Sequence, residues 1–470
     1  MPKSSKAISS RLAAAALSIV SVSSCGDGTV YVRVNVEGIP AGTKTLSIKS
    51  YVDTQTYNEQ LFDVSSGDKT LVAGMILPAN TRGTFKAEVS PLDSAGKALQ
   101  TCGVEYGGSG SRDILGDRDT SVNVTIAINF PDAGITGNLY GVWGSKSDDV
   151  WVVGDSGLTA RWNGCYWQRV ASGTTVSLKA IHGFSANNIW VVGGDTPSDA
   201  NVMILHWDGA TWKTQQPSTP IPGMLSSIWG SSSTQLWATG QGPAAPLFVS
   251  GSGGTTWITA INNTDLPLPD AYTGISGFDP SHIYISGKAT TKIGGCGIGY
   301  DPPCIGEVTY FETGSPNKWT RVSGGSLLIG NLTAVFAESA NRIWFGGVGG
   351  FVASWDGTTA GIPKTMTNIN LATKTLPSAM ASIGVKAIRS FPGATQPPGP
   401  FVIVPAASNS SDLYRLDGGT VNKLTAQPSQ LDHPVNAMWG TSPTDLWLVG
   451  DDGARYRYDG ASFKKYLAPL

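Results

Sequence analysis

Charge is scarce in this sequence. Asp, Glu, Lys and Arg make up only 14% of its 470 residues, against about a quarter in an ordinary soluble domain. The two signs nearly cancel, with 32 basic and 34 acidic residues giving a net charge of −2. The clustered positive excess that nucleic-acid binding needs is therefore missing. Histidine occurs only at His182, His206, His282 and His433, and neither it nor cysteine has the close spacing of a metal site. No apolar run after Cys25 is long enough for a membrane-spanning helix. The sequence has no phosphate-binding glycine loop, no His-Glu-x-x-His and no Gly-x-Ser-x-Gly, which removes the most recognisable catalytic signatures. No tryptophan precedes Trp143. What the chain does have is 59 glycines and 15 tryptophans, the composition of a folded β protein rich in turns.

The N-terminus reads as an export signal. Lys3, Lys6 and Arg11 precede an apolar stretch from Leu12 to Val22, too short to span a bilayer stably. It ends in Val22-Ser23-Ser24-Cys25. This segment resembles a bacterial lipoprotein lipobox, which implies cleavage before Cys25 and a diacylglyceryl group on it. The alternative is an ordinary cleaved signal peptide with a chance cysteine. An acyl anchor holds a chain to the membrane by roughly 0.8 kcal/mol per buried methylene. Enterobacterial sorting retains lipoproteins with Asp after the cysteine in the inner membrane. By that analogy Gly26 implies an outer-membrane lipoprotein, periplasmic or surface-facing.

An exported chain meets an oxidising compartment. Cys296 and Cys304 flank a turn-rich Gly-Ile-Gly-Tyr-Asp-Pro-Pro loop, and a bridge there would be worth roughly 2–3 kcal/mol in the chain-entropy picture. Cys102 and Cys165 then pair by elimination, or stand as two buried free thiols.

Composition divides the rest in two. From 26 to 131, apolar and polar residues alternate, as in Val30, Val32, Val34 and Val36 and again in Val122, Val124, Ile126 and Ile128. Period-two alternation means strands with one buried face. About a hundred residues in six or seven such strands suggest an immunoglobulin-like β-sandwich, with a small barrel as the alternative. Pro131-Asp132-Ala133-Gly134 is the expected linker.

From 132 to 470 the sequence repeats. Leu139-Tyr-Gly-Val-Trp-Gly144 leads to Val150-Trp-Val-Val-Gly154, and Val435-Asn-Ala-Met-Trp-Gly440 leads to Leu446-Trp-Leu-Val-Gly450. Four more such pairs close on Gly193, Gly240, Gly287 and Gly347, and a worn copy begins at Val385-Lys-Ala-Ile388. The second half of each copy is a hairpin, as in Leu205-His-Trp-Asp-Gly-Ala-Thr-Trp212, where Asp-Gly supplies a turn with positive φ. Four short strands per 40–50 residues are the mark of a β-propeller, so seven copies predict a seven-bladed one. Tryptophan recurs at four places per repeat, as packing between blades requires, and Trp151, Trp190, Trp237 and Trp447 are expected in that packing.

These units, Trp-Gly-Ser…Asp-Val-Trp-Val-Val-Gly…Trp-Asp-Gly…Trp in form, resemble the propeller repeats of myxobacterial and related lipoproteins. They are similar also to bacterial neuraminidase (Asp-box) repeats and to photosystem II assembly-factor propellers. Ser250-Gly-Ser-Gly-Gly-Thr-Thr-Trp257 is the nearest Asp-box match, with Ser252 where that motif has aspartate. The likeness implies the fold and leaves activity open, because propellers host many functions.

Chemistry-bearing residues are few. His182 and His206 occupy repeat positions that other copies fill with Trp, Ser or Arg, which reads as packing or hairpin surface. His433 lies in an inter-blade loop and has no such explanation. A sialidase needs clustered arginines, whereas here Arg161, Arg415 and Arg457 fall on hairpin positions. Asp195, Asp199, Asp451 and Asp452 offer loop oxygens of the kind Ca²⁺ takes, though solvated turns are the preferred reading and no cofactor is expected. The irregular connections Lys213–Met224, Ile258–Ala271, Lys288–Gly306 and Pro363–Gly384 are where function is expected, on a rigid scaffold. The expectation is a monomeric, non-catalytic recognition or scaffold protein of the envelope that binds a protein or glycan and no nucleic acid. The alternative is an envelope glycan-active hydrolase or lyase with acidic residues over the propeller channel. Replacing Cys25 (Cys25→Ser) is expected to abolish incorporation of a lipid label and to move the chain out of the membrane fraction. Unchanged labelling and fractionation would remove the lipid anchor.

Overall fold

The computed structural model describes residues 30–57, 59–115, 120–128, 134–198, 202–215, 217, 222–242, 247–251, 256–259, 271–288, 307–312, 319–322, 332–348, 350–355, 384–391, 399–406, 409–417, 420–425 and 430–466. Cys25, Asp199, Cys296 and Cys304 lie outside the described residues, as do 260–270, 289–306 and 356–383 of the long connections. The chain divides into two compact units, Met1–Pro131 and Asp132–Leu470.

The first unit contains β1 (Val30–Glu37), β2 (Thr45–Val52), β3 (Gln55–Thr56), β4 (Gln60–Asp63), β5 (Thr70–Leu77), β6 (Gly83–Leu92), β7 (Gln100–Thr101), β8 (Val104–Ile114), β9 (Thr120–Thr125) and β10 (Ala127–Ile128). The alternating valines of β1 are buried, as are Val122 and Val124 of β9, and they share one core with Ile48, Phe85 and Val89. That core lies between a sheet of order β5-β1-β9 and a sheet of order β10-β8-β6-β2-β3, with β4 also on β2. The immunoglobulin-like order is not the one adopted. Lettering the longer strands A to G in chain order gives D-A-G over C-B-E-F, whereas an immunoglobulin domain has A-B-E-D over C-F-G. The cause is the pairing of β1. Its valine row matches that of β9 in parallel, Val34 beside Val122 and Val36 beside Val124, and β5 pairs antiparallel along its whole length on the other edge. No edge of β1 remains for β2.

The second unit is built of antiparallel sheets in chain order. The first contains β11 (Leu139–Lys146), β12 (Asp149–Gly154), β13 (Thr159–Trp162) and β14 (Trp167–Arg169). The second contains β15 (Leu178–Ser185), β16 (Asn188–Gly193), β17 (Met203–Trp207) and β18 (Trp212–Thr214). Next come β19 (Met224–Ser232), β20 (Gln235–Gln241), β21 (Leu247–Gly251) and β22 (Thr256–Thr259). They join β23 (Ala271–Asp279), β24 (His282–Lys288), β25 (Glu307–Glu312) and β26 (Trp319–Val322) through the single pair Gln241–Ala271. Three strands follow, β27 (Leu332–Ser339), β28 (Arg342–Gly347) and β29 (Val352–Trp355). The worn copy forms β30 (Ala387–Arg389), β31 (Phe401–Ala406), β32 (Ser410–Asp417) and β33 (Thr420–Lys423). The last sheet is β34 (Val435–Ser442), β35 (Asp445–Gly450), β36 (Arg455–Tyr458) and β37 (Phe463–Lys465).

The first strands β11, β15, β19, β23, β27, β30 and β34 touch in succession, and β34 touches β11. They therefore surround an axis, with the later strands of each sheet stacked outward. That arrangement is a β-propeller.

What seals neighbouring blades is an aromatic contact that recurs around the ring. Trp151 of β12 lies 4.8 Å from Trp207 and 5.5 Å from Trp212 of the next blade. Trp190 meets Trp257 at 6.0 Å, Tyr284 meets Trp355 at 5.9 Å and Phe401 meets Tyr458 at 6.5 Å. Trp447 meets Trp162 and Trp167 of the first blade at 5.5 and 5.4 Å, so the same contact closes the ring. The ring could close through a last blade complete in itself or through a strand near Ile135 added to it. The last blade takes all four strands from the C-terminal end. Ile135 is buried beside Trp447 and Val449, and Gly453 N–H donates to Gly137 O at 2.8 Å, but no strand forms there.

Trp151 and Trp447 are fully buried, and Trp237 is only partly so. Trp151→Ala and Trp447→Ala should each cost about 3–5 kcal/mol of unfolding free energy, and Trp237→Ala less. Denaturation curves of the three variants matching the parent would show that these rings do not hold the blades.

Candidate functional site at the inner ring

Each first strand puts one residue at the same register, opposite the aromatic of its second strand. Trp143 faces Trp151, His182 faces Trp190, and Trp229 faces Trp237. Ser276 faces Tyr284, Phe336 faces Trp344, Arg389 faces Phe401 and Trp439 faces Trp447. These residues form a ring about the axis, and each reaches to the blade that follows. The Trp143 ring covers Gly183, where a Cβ would stand 2.6 Å from its edge, and Trp439 covers Gly144 in the same way. Only a glycine admits so close an aromatic ring. Where the ring residue is polar, a hydrogen bond replaces the stacking. His182 Nε2 lies 3.0 Å from Gly230 O, Arg389 Nη2 donates to Gly440 O at 3.3 Å, and Ser276 Oγ accepts from Ala337 N–H at 2.9 Å. A carbonyl only accepts, so His182 carries its proton on Nε2.

Burial holds the pKa of His182 down at about 4, so the imidazole is neutral. The Arg389 guanidinium lies 5.4 Å from the centre of Phe336 and 5.6 Å from that of Phe391. Burial lowers its pKa from the ordinary value to about 10, which leaves it charged.

Two acids stand on the first strands at their far ends. Asp279 pairs with His282 at 2.9 Å. Glu338 takes an ion pair from Arg342 and hydrogen bonds from Trp344 Nε1 and from Ser390 Oγ, the last at 2.6 Å.

At the start of the first strands lies a second group. The Lys179 ammonium sits 3.7 Å from the centre of the Tyr140 ring. Burial, and then a hydrogen bond with Asp155, push the Tyr140 phenol up, and burial pulls the Lys179 ammonium down. Asp155 Oδ2 accepts from Asn138 N–H at 3.1 Å, Asp195 Oδ1 from Ser177 N–H at 3.0 Å, and Asp451 Oδ1 from Asn436 Nδ2 at 2.7 Å. Asp452 is exposed at positive φ. Asp195, Asp451 and Asp452 do not converge, and no three His, Cys, Asp or Glu side chains among the described residues could hold a metal ion.

The other residues singled out from sequence have structural partners. Arg161 bonds Asp149 at 2.6 Å and lies 5.5 Å from Trp151, and Arg457 bonds Asp445 at 2.9 Å and lies 5.4 Å from Trp447. In the second blade the same place holds His206, stacked 4.2 Å from Trp190 and 3.0 Å from Asn188 Oδ1. Arg and Asp have been replaced together by His and Asn. Arg415 lies 5.5 Å from Phe401 and bonds Asp417. His433 belongs to a group in which Asp432 accepts from Tyr456 Oη at 2.6 Å and from Lys465 Nζ at 2.5 Å. That group fastens the loop before β34 to β36 and β37. Cys102, at positive φ in the turn before β8, is disulfide-bonded, and so is Cys165 in the turn after β13. Neither is a free thiol.

Sequence reasoning passed over Tyr140, Lys179 and Arg389. The signal for Arg389 was present. Extending the worn repeat one residue past Ile388 puts Arg389 where other copies have Trp143, Trp229 or Trp439.

No protein-family model matches the chain, and no curated protein matches it. Solved structures similar to it include YCF48 bound to D1 peptide, with TM-score 0.48, 14% identity and coverage of 71% of this chain and 98% of that one. YCF48 from Cyanidioschyzon merolae is similar with TM-score 0.49, 15% identity and coverage of 70% and 97%. The WD40 β-propeller domain of Doa1 is similar with TM-score 0.48, 11% identity and coverage of 70% and 94%. The class of this protein follows from its own sheets: all-β in its described residues, with a β-propeller as the larger unit.

Because folding lowers the His182 pKa from 6.5 to about 4, the unfolded chain binds the proton first as pH falls. The stability held by neutral His182 is complete above about 6.5 and is lost as pH falls towards 4. His182→Trp, the residue other blades use there, should flatten the acid side of a melting-temperature profile. An unchanged slope would show that His182 does not titrate between those limits.

Proposed function

We propose that this chain is a non-catalytic, lipid-tethered recognition protein of the cell envelope. In this reading a seven-bladed propeller is the binding head and the N-terminal sandwich is a spacer. The observation that carries it is the chemistry of the inner ring. Its members are aromatic, hydroxyl, imidazole and guanidinium groups on a rigid frame, and the two acids on the first strands are engaged by local partners. Aromatic residues and arginine are the side chains enriched in protein interfaces, so a protein is the partner this surface suits. The seven-blade count is supported by the cyclic contact of the first strands. The tether, the outer-membrane address and the monomeric state rest on Val22-Ser23-Ser24-Cys25, Gly26 and the closed ring.

One observation favours an enzyme acting on envelope glycans as a second reading. Asp155 and, more weakly, Asp451 of the last blade both push the Tyr140 phenol up, so two carboxylates act on one side chain. Paired carboxylates are what glycosidases use.

The readings separate in one experiment. The full-length chain carrying Cys25→Ser is immobilised and exposed to envelope extract, and a labelled envelope glycan is incubated with it in parallel. Recognition predicts a discrete protein retained at stoichiometric yield and no glycan turnover. Turnover lost in Asp155→Asn and Asp451→Asn, with no protein retained, would replace recognition by hydrolysis.

A further inference from the structure

Arg389 is the one charged residue of the inner ring. Its Nη2 is spent on Gly440 O, and its Nε is buried with no hydrogen-bond partner among the described residues. No described carboxylate pairs with it, and neither does one with Lys386, exposed on the same segment, whereas Arg161, Arg342, Arg415 and Arg457 are ion-paired and the buried Arg455 of β36 lies away from the inner ring, bonded to Gly453 O and over Trp167. Packing does not demand the charge. At the same register other blades place Trp, Phe, Ser or neutral His, and His182 shows that a neutral donor can reach the next blade's carbonyl. A desolvated guanidinium without a counter-charge is costly, and a fold that could use tryptophan instead has no structural reason to keep it.

Phe336 and Phe391, both near 5.5 Å, flank the guanidinium, and Arg389 as a whole is half-buried. A planar fork of N–H donors matches a carboxylate. We propose that Arg389 is a carboxylate receptor at the propeller axis, and that an Asp or Glu side chain of a protein partner docks there between the ring's aromatic residues. The proposal rests on the recognition reading and adds to it the chemistry of the group recognised. A protein acid is favoured over an acidic glycan because aromatic residues and Arg together make interface anchors.

The test uses the full-length chain carrying Cys25→Ser and two probes, acetyl-tetraglutamate amide and acetyl-tetraglutamine amide. Binding is read by calorimetry and by the fluorescence of the ring tryptophans. The acidic peptide should bind saturably and more weakly at high salt, and the glutamine peptide should not bind. Arg389→Gln should weaken binding by roughly tenfold, the size of a charged hydrogen bond. Arg389→Trp uses a residue the fold accepts at this register and should do the same with melting unchanged. Lys146→Gln, which breaks an exposed pair with Asp148, should bind as the parent does. Equal binding by the parent and Arg389→Trp overturns the proposal. So does Arg389-dependent binding of polygalacturonate with none of the glutamate peptide, which would make the occupant a glycan. A partner captured from envelope extract equally by the parent and Arg389→Trp would sink this inference and leave recognition standing. No partner and no peptide bound would sink recognition itself.

Discussion

The second unit depends on one contact, an aromatic ring from the second strand of a blade laid against aromatic rings from the third and fourth strands of the next. A four-stranded sheet has two faces and cannot bury both alone, so each blade is stable only against its neighbours. Trp151, Trp190, Tyr284, Phe401 and Trp447 each supply that contact. The packing of Trp447 against Trp162 and Trp167 makes the series circular. Several of these indoles are sealed so tightly that their N–H groups, at Trp151, Trp162, Trp167, Trp212 and Trp447, lack a partner among the described residues. An unpaired buried donor costs stability. The fold tolerates it because one large ring excludes water from two blades at once.

The same rings organise the charges. Arg161 and Arg457 lie over the second-strand tryptophans of their own blades and bond the acid that opens that strand. A guanidinium over an indole face gains from the ring's quadrupole while its acid neutralises it. In the second blade His206 and Asn188 replace the pair as neutral groups with the same hydrogen bond. In the first and last blades the charged pair thus has a fixed place beside the ring.

Much of the propeller was legible because its repeat is written in large residues. Tryptophan at four places, Asp-Gly at the hairpins and glycine after each second strand gave strand order and inter-blade packing together. The first unit was legible only as strands. Alternating valines say which face is buried, but β1 could satisfy that burial beside β2 or beside β9, and register with β9 was decided by two matched valine rows far apart in the chain. The inner ring was half legible. His182 read as packing or hairpin surface, and of the two it is packing, bonded to Gly230 O of the next blade. Arg389 went unseen because the repeat around it lacks tryptophan altogether, with Phe401 in place of the second-strand indole.

In a repeat protein, function sits where the repeat is broken. Residues that keep the repeat describe the scaffold, so a search for shared patterns finds packing. Specific binding needs a place where one blade differs from the rest, and a ring of equivalent positions makes such differences visible. Ser276, His182 and Arg389 all depart from the aromatic rule. Ser276 and His182 remain neutral, and each bonds the neighbouring blade just as packing requires. Arg389 does that too, and then brings a charge that packing does not use. In a ring where every other member is accounted for by its neighbour, the surplus donors of one guanidinium are the feature that asks for something from outside the chain.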